Sequence, residues 1–130
     1  MSQELYWLTL VTLFTGLLWL PYILQRFAND GFLPTLLGKG TSNDADWAVR
    51  VSKAHKNAVE NLVIFAPLVL IVYVTNSATE LTAQAAMIYF FARISHALMY
   101  ALGISILRTF SFLIGVGCQL IFALTFLHLF

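Results

Sequence analysis

Four long apolar stretches dominate the chain, and the polar positions between and within them carry the rest of the information. The first stretch runs from Leu5 to Leu24 without a charge, and a membrane span needs ~20 mostly apolar residues to cross a hydrocarbon core of about 30 Å. Ser2, Gln3 and Glu4 ahead of it carry no positive charge and no small-x-small site follows it. It therefore reads as a retained helix rather than a cleaved leader. It should end near Arg26, with Pro21 as a point where it bends. Residues 28–46 hold Asn29, Asp30, Gly31, Pro34, Gly38, Gly40 and Ser42; turn formers on that scale predict a long loop. Asn43 or Asp44 is the expected N-cap of the next helix. The predicted helices cover about 5–26, 46–75, 79–102 and 106–129, separated by a break at Asn76, Ser77 and Ala78 and a tight turn at Gly103 to Ser105. No strand alternation or internal repeat stands out. The expected fold is an all-α membrane protein, a single domain built as a four-transmembrane-helix bundle.

Composition strengthens that reading. Hydrophobic residues make up 60% of the 130 and charged residues only 10%, against about 25% charged in an average soluble chain. A small protein has a large surface for its volume. Seven basic and six acidic side chains cannot cover it in water, so lipid must be the solvent for most of it. A net charge of +1 argues against a nucleic-acid partner, which requires a basic surface. Cys118 is the single cysteine, which excludes an intrachain disulfide framework and a cysteine-based zinc cluster. No metal, flavin or nucleotide motif is present.

Ionisable residues inside membrane helices are costly and mark function by default. On a helical wheel of the second span, Arg50, Lys53, Lys56, Asn57, Glu60 and Asn61 fall within an arc of about 140°. Val51, Ala54, Ala58, Val59 and Leu62 oppose them, with His55 off the main face. In the third span Arg93, His96 and Tyr100 share a face at i, i+3 and i+7, joined by Tyr89. Arg108 opens the fourth span at the same membrane boundary. A structural reading competes with a functional one throughout. Arg50, Lys53 and Lys56 suit an interfacial, topology-fixing role. Arg93 and Glu60 are candidates for an ion pair inside the bundle. His96 alone reads as a hydrogen-bonded core histidine, Tyr100 alone as an aromatic anchor, and His55 and His128 as bland. The Phe and Leu runs of the fourth span read as packing or lipid surface. Gly115 and Gly117 read as points of close helix contact. Taken together, the polar groups predict a site for a small anionic or zwitterionic ligand at a membrane boundary, beside lipid.

Two runs of residues carry a family resemblance. The second span reads Arg50-Val51-Ser52-Lys53-Ala54-His55-Lys56-Asn57-Ala58-Val59-Glu60-Asn61; the third reads Arg93-Ile94-Ser95-His96-Ala97-Leu98-Met99-Tyr100, followed by Arg108-Thr109. Both resemble signatures of the membrane-associated proteins in eicosanoid and glutathione metabolism, the MAPEG family, and the compact chain looks like a microsomal-glutathione-transferase-like member of its bacterial branch. Lys53 stands where arginine is more usual, which keeps the charge and loses the bidentate fork. The resemblance implies a homotrimer of four-helix protomers with glutathione, as co-substrate, between neighbouring subunits. It assigns glutathione binding to Arg50, Lys53, Lys56, Asn57, Glu60, His96 and Tyr100, and thiolate stabilisation to Arg108 as the catalytic residue. The activity implied is a detoxifying transferase or peroxidase acting on a hydrophobic electrophile that arrives from the bilayer. Two other readings stand beside it. One is a non-catalytic lipid- or partner-binding member of the family. The other is a small transporter, disfavoured because proton coupling needs a buried acid in the path and Glu60 is the one acid inside a hydrophobic span.

The basic residues outside the spans are one-sided. Arg26, Lys39 and Arg108 fall at the first and third loops, with Arg50, Lys53 and Lys56 at the start of the second span. The positive-inside rule places those loops in the cytoplasm and both termini outside, the expected setting being a bacterial inner membrane. A cysteine introduced at Gly40 should therefore resist an impermeant thiol reagent applied to intact cells. Labelling from outside would reverse the topology.

Overall fold

The computed structural model describes residues 2–38 and 44–128. In order these form α1 (Gln3–Leu17), α2 (Leu20–Asp30), α3 (Phe32–Leu36), α4 (Asp46–Val74), α5 (Glu80–Leu102) and α6 (Ser105–Phe126), and no strand occurs among the described residues. Four stretches are long and apolar enough to cross a membrane: Gln3–Asp30, Asp46–Val74, Glu80–Leu102 and Ser105–Phe126.

The first stretch is broken rather than bent. Pro21 lacks an N–H and its ring crowds the carbonyl four residues back, on Leu17, where α1 ends. Pro21 then sits in the first turn of α2, where its missing donor costs nothing. In α1 the hydroxyls of Thr9, Thr12 and Thr15 each donate to the carbonyl four residues back at 2.8 Å, which satisfies them where no water is available. The long loop expected over residues 28–46 is shorter than composition suggested. Asn29 and Asp30 complete α2, and Gly31, at φ 87°, turns the chain into α3. Asp44 does not cap α4: Ala45 occupies that position without a side-chain bond. The Asp44 carboxylate is held by Arg26 at 3.1 Å instead. Asn43, the other expected cap, lies outside the described residues, as does Lys39.

The core is small and aromatic at its centre. Phe65 of α4 stacks on Tyr89 of α5 with centroids 3.7 Å apart, and Phe122 of α6 meets Phe65 edge-on at 5.6 Å. Val11 of α1, Val69 and Val72 of α4, Ala85 and Ala86 of α5 and Cys118 of α6 complete it. The remaining helix contacts use small residues: Ala48, Ala54 and Ala58 of α4 and Ala92 and Ala97 of α5 are buried, which lets backbones approach without a large apolar driving force. The large side chains Leu13, Val63, Ile64, Phe91, Leu113 and Ile114 point outward, as a lipid-facing surface requires.

Helix α5 is packed by α1, α4 and α6, and both its ends are closed from outside. At its start, Thr79 and Thr82 exchange side-chain-to-backbone bonds. Thr82 also donates to the Glu4 carboxylate at 2.6 Å, and Ser2 donates to the other oxygen at 3.0 Å. Glu4 is 5% exposed, so the buried acid of this bundle is Glu4 in α1, whereas Glu60 is exposed. At the other end Gly103 takes φ 76°, a conformation that favours glycine. There Ile104 N–H reaches Met99 O and Gly103 N–H reaches Tyr100 O, a Schellman closure. The Ala101 carbonyl is left over, and Arg50 Nε donates to it at 2.8 Å.

Replacing Glu4 with leucine should lower unfolding stability in detergent by about 1.5–3 kcal/mol, the scale of hydrogen bonds to a charged group. Glu4→Gln, which keeps an acceptor for Thr82, should recover most of that loss. Equal midpoints for Glu4→Leu and wild type would remove the tie between α1 and α5 from the account.

Candidate functional site

Site residues from α4, α5 and α6 converge at the end of the bundle where α5 turns into α6. Two open grooves lie side by side there. One, of about 250 Å³, is lined by Lys53, Lys56, Asn57, Glu60 and Tyr100. The other, of about 280 Å³, is lined by Asn57, Tyr100, Arg108, Thr109 and Phe112. Asn57 and Tyr100 belong to both, so the two form one polar trough with a shared floor.

The local reasons are simple. Lys53, Lys56, Asn57 and Glu60 sit three and four apart on α4 and so share a face. The buried Val51, Ala54 and Ala58 anchor the opposite face against the bundle. Arg108 lies in the first turn of α6 with its Cζ 4.6 Å from the Tyr100 ring centroid, a cation–π contact that fixes both side chains. Phe112 stands one turn further along α6 on the same face. Among the described residues Lys53, Lys56, Glu60 and Arg108 make no ion pair within 4.0 Å. The trough therefore holds three cations and one carboxylate that no ion pair among the described residues satisfies.

Not every residue singled out in the sequence reaches this trough. Arg50 braces the end of α5 through Ala101. His96 is 3% exposed and lines neither groove. Its ring sits behind the trough, with centroids 5.7 Å from Tyr100 and 6.2 Å from Phe112, and its buried Nδ1 has no hydrogen-bond partner among the described residues. The expected ion pair between Arg93 and Glu60 does not form. Arg93, 3% exposed, instead donates from Nη2 to Asn57 Oδ1 at 2.7 Å. Asn57 is half-buried against the helix contact and Glu60 is exposed, so the amide and not the carboxylate meets a guanidinium coming from α5. His55 bonds Tyr22 of α2 through Nδ1 at 3.1 Å, a structural tie away from the trough. Thr109 and Phe112 were not singled out for the site. Phe112, four residues after Arg108, has a same-face spacing that signals it, but in a run of aromatic and aliphatic residues that reads equally as lipid surface; Thr109, adjacent to Arg108, has no such signal.

A trough of this kind can take a small ligand with more than one anionic group against Lys53, Lys56 and Arg108, and an ammonium against Glu60. Phe112 adds an apolar wall beside the Arg108 guanidinium.

No curated protein and no solved structure matches the chain. A family model does: that of the MAPEG family matches residues 5–128. With nearly the whole chain matched and four helices able to span a membrane, the protein is an integral, multi-pass membrane protein that belongs to the MAPEG family.

Proposed function

We propose that the protein is a glutathione-dependent transferase or peroxidase of the membrane, activating the glutathione thiolate for attack on an apolar electrophile. One observation carries the reading: a single trough joins Lys53, Lys56, Asn57 and Glu60 of α4 to Tyr100 of α5 and Arg108 of α6. Glutathione has two carboxylates and one α-ammonium, which is the charge pattern the trough complements. Lys53, Lys56 and Asn57 hold the carboxylates and peptide groups in this reading, and Glu60 takes the ammonium. Tyr100 supports the peptide and Arg108 faces the sulfur.

The chemistry follows from that placement. A free thiol has a pKa near 8.5, and the nucleophile is the thiolate. Lowering that value by ~2 units takes about 2.7 kcal/mol of preferential thiolate stabilisation. A guanidinium aimed at sulfur in a partly dry site supplies this as electrostatic preorganisation, and the proton leaves to water. The thiolate then forms a carbon–sulfur bond as the electrophile's leaving group departs, or adds to an activated double bond whose resulting carbanion takes a proton from water. The electrophile enters from the bilayer past Phe112 and the apolar surface of α6. Because the trough is open along one side, the reading includes a homotrimer in which a neighbouring subunit supplies the missing wall. It also includes the cytoplasmic placement of loops one and three.

Arg108→Ala should leave glutathione binding within a few-fold of wild type and raise the bound thiol's pKa toward 8.5. Conjugation should fall by ~10- to 1000-fold, the cost of losing one preorganised electrostatic group. Thiolate absorbance and turnover with a model electrophile measure both. Glu60→Ala should weaken binding first, because a ligand ammonium is left unpaired. Wild type that binds glutathione without lowering its thiol pKa would make this a non-catalytic binding member of the family.

Native mass spectrometry in mild detergent should give three copies per particle. Monomer or dimer alone would sink the shared-site arrangement.

A further inference from the structure

Asn57 lies on the floor shared by both grooves, so the end of its amide that faces the trough decides what can bind there. A primary amide has a donor end and an acceptor end, and the two are told apart by their partners. Here the partner leaves no choice. Arg93 Nη2 is 2.7 Å from the Asn57 side chain, and a guanidinium only donates, so the atom facing it is the oxygen. Asn61 Nδ2 donates to the same oxygen at 3.2 Å and to the Asn57 backbone carbonyl at 2.9 Å. Both lone pairs of Oδ1 are taken. Asn57 Nδ2 has no acceptor among the described residues, nor is it among the buried polar atoms that lack a partner.

Arg93 itself is out of the trough. It is 3% exposed and Asn57 Oδ1 is its one acceptor among the described residues. α6 passes beside it at Gly115, where an added Cβ would meet the Tyr89 ring at 3.6 Å and Arg93 Cδ at 3.9 Å, both ordinary contact distances. The buried guanidinium therefore acts on the trough through Asn57.

We propose that Arg93 is a positioning residue that, with Asn61, locks the Asn57 amide with its NH₂ toward the trough. That point of the site is then a pure donor. It selects a carboxylate or carbonyl oxygen on the ligand and rejects an ammonium, which is left to Glu60 three residues on. The identity of the ligand rests on the glutathione reading; the donor polarity of Asn57 does not.

The test measures glutathione affinity by calorimetry, and unfolding midpoints, in the detergent-solubilised full chain. Asn57→Asp should fold with a midpoint at or above wild type, since the new carboxylate faces Arg93. It should bind glutathione about 10- to 100-fold more weakly, the scale of one unmatched buried polar contact. Arg93→Leu should weaken binding about 10-fold by the same loss, whereas Arg93→Lys, which can still donate to Oδ1, should stay within about 3-fold of wild type. An Asn57→Asp or folded Arg93→Leu variant with wild-type affinity would overturn the proposal. Should Arg93→Leu fail to fold, Asn57→Asp and Arg93→Lys still decide it. A stability cycle between Arg93→Leu and Asn57→Leu, each of which removes the contact, provides a ligand-free readout. Absent coupling refutes the lock whatever glutathione does. Intact coupling in a wild type that does not bind glutathione refutes the glutathione reading alone.

Discussion

A polar group inside a membrane-spanning bundle has no water to fall back on, so leaving one without a partner in the protein is costly. In this chain that constraint centres on α5. Its N-terminal turn meets the buried Glu4 carboxylate and its C-terminal carbonyl meets Arg50. The two charges have the signs that the helix dipole favours at each end. Midway along, the Arg93 guanidinium finds an amide rather than a carboxylate. Each of these three contacts reaches a different position on α1 or α4. Together they set the height and rotation of α5 against its neighbours, and thereby the place where Tyr100 emerges beside α4.

The same constraint separates a structural layer from a ligand-facing layer. Arg93, His96 and Tyr89 lie deep in the helix contacts, and Arg50 is spent on a backbone carbonyl. Among the described residues Lys53, Lys56, Glu60 and Arg108 have no ion-pair partner at the bundle end. Leaving those charges uncompensated at a membrane boundary costs less than burying them, because long side chains there still reach the aqueous edge. A site can thus be highly charged while the bundle beneath it stays almost wholly apolar.

Much of this was readable from periodicity. Four spans, the polar arc of the second, the shared face of Arg93, His96 and Tyr100, and the turns at Asn76 and Gly103 follow from spacing and from residues with strong backbone preferences. What spacing does not encode is depth and rotation about the helix axis. A wheel places Asn57 and Glu60 on one face, yet only Asn57 sits near enough to the helix contact to meet Arg93. It places His96 with Tyr100, yet His96 stays beneath the trough and only Tyr100 reaches it. The acceptor of Arg50 is a backbone carbonyl, which has no residue signature at all. The end of α1 at Leu17 is a local effect that the uniform hydrophobicity of residues 5–24 conceals. Asn29 and Asp30 show the reverse error, since turn-forming composition yielded to the continuing helix.

The trough also has a direction. Lys53, Lys56 and Glu60 lie on one side of the shared Asn57–Tyr100 floor, and Arg108, Thr109 and Phe112 on the other. The first side is charged throughout; the second pairs a single cation with an apolar wall. On the glutathione reading, the ligand's charged groups belong against α4 and its sulfur against α6, where a guanidinium and a route from lipid meet. The order cannot be reversed without setting the ammonium beside Arg108 and the thiolate beside Glu60, both like-charge pairings. Substrate orientation in this reading therefore follows from where Glu60 stands relative to Arg108, with the donor-only face of Asn57 marking the boundary between binding and chemistry.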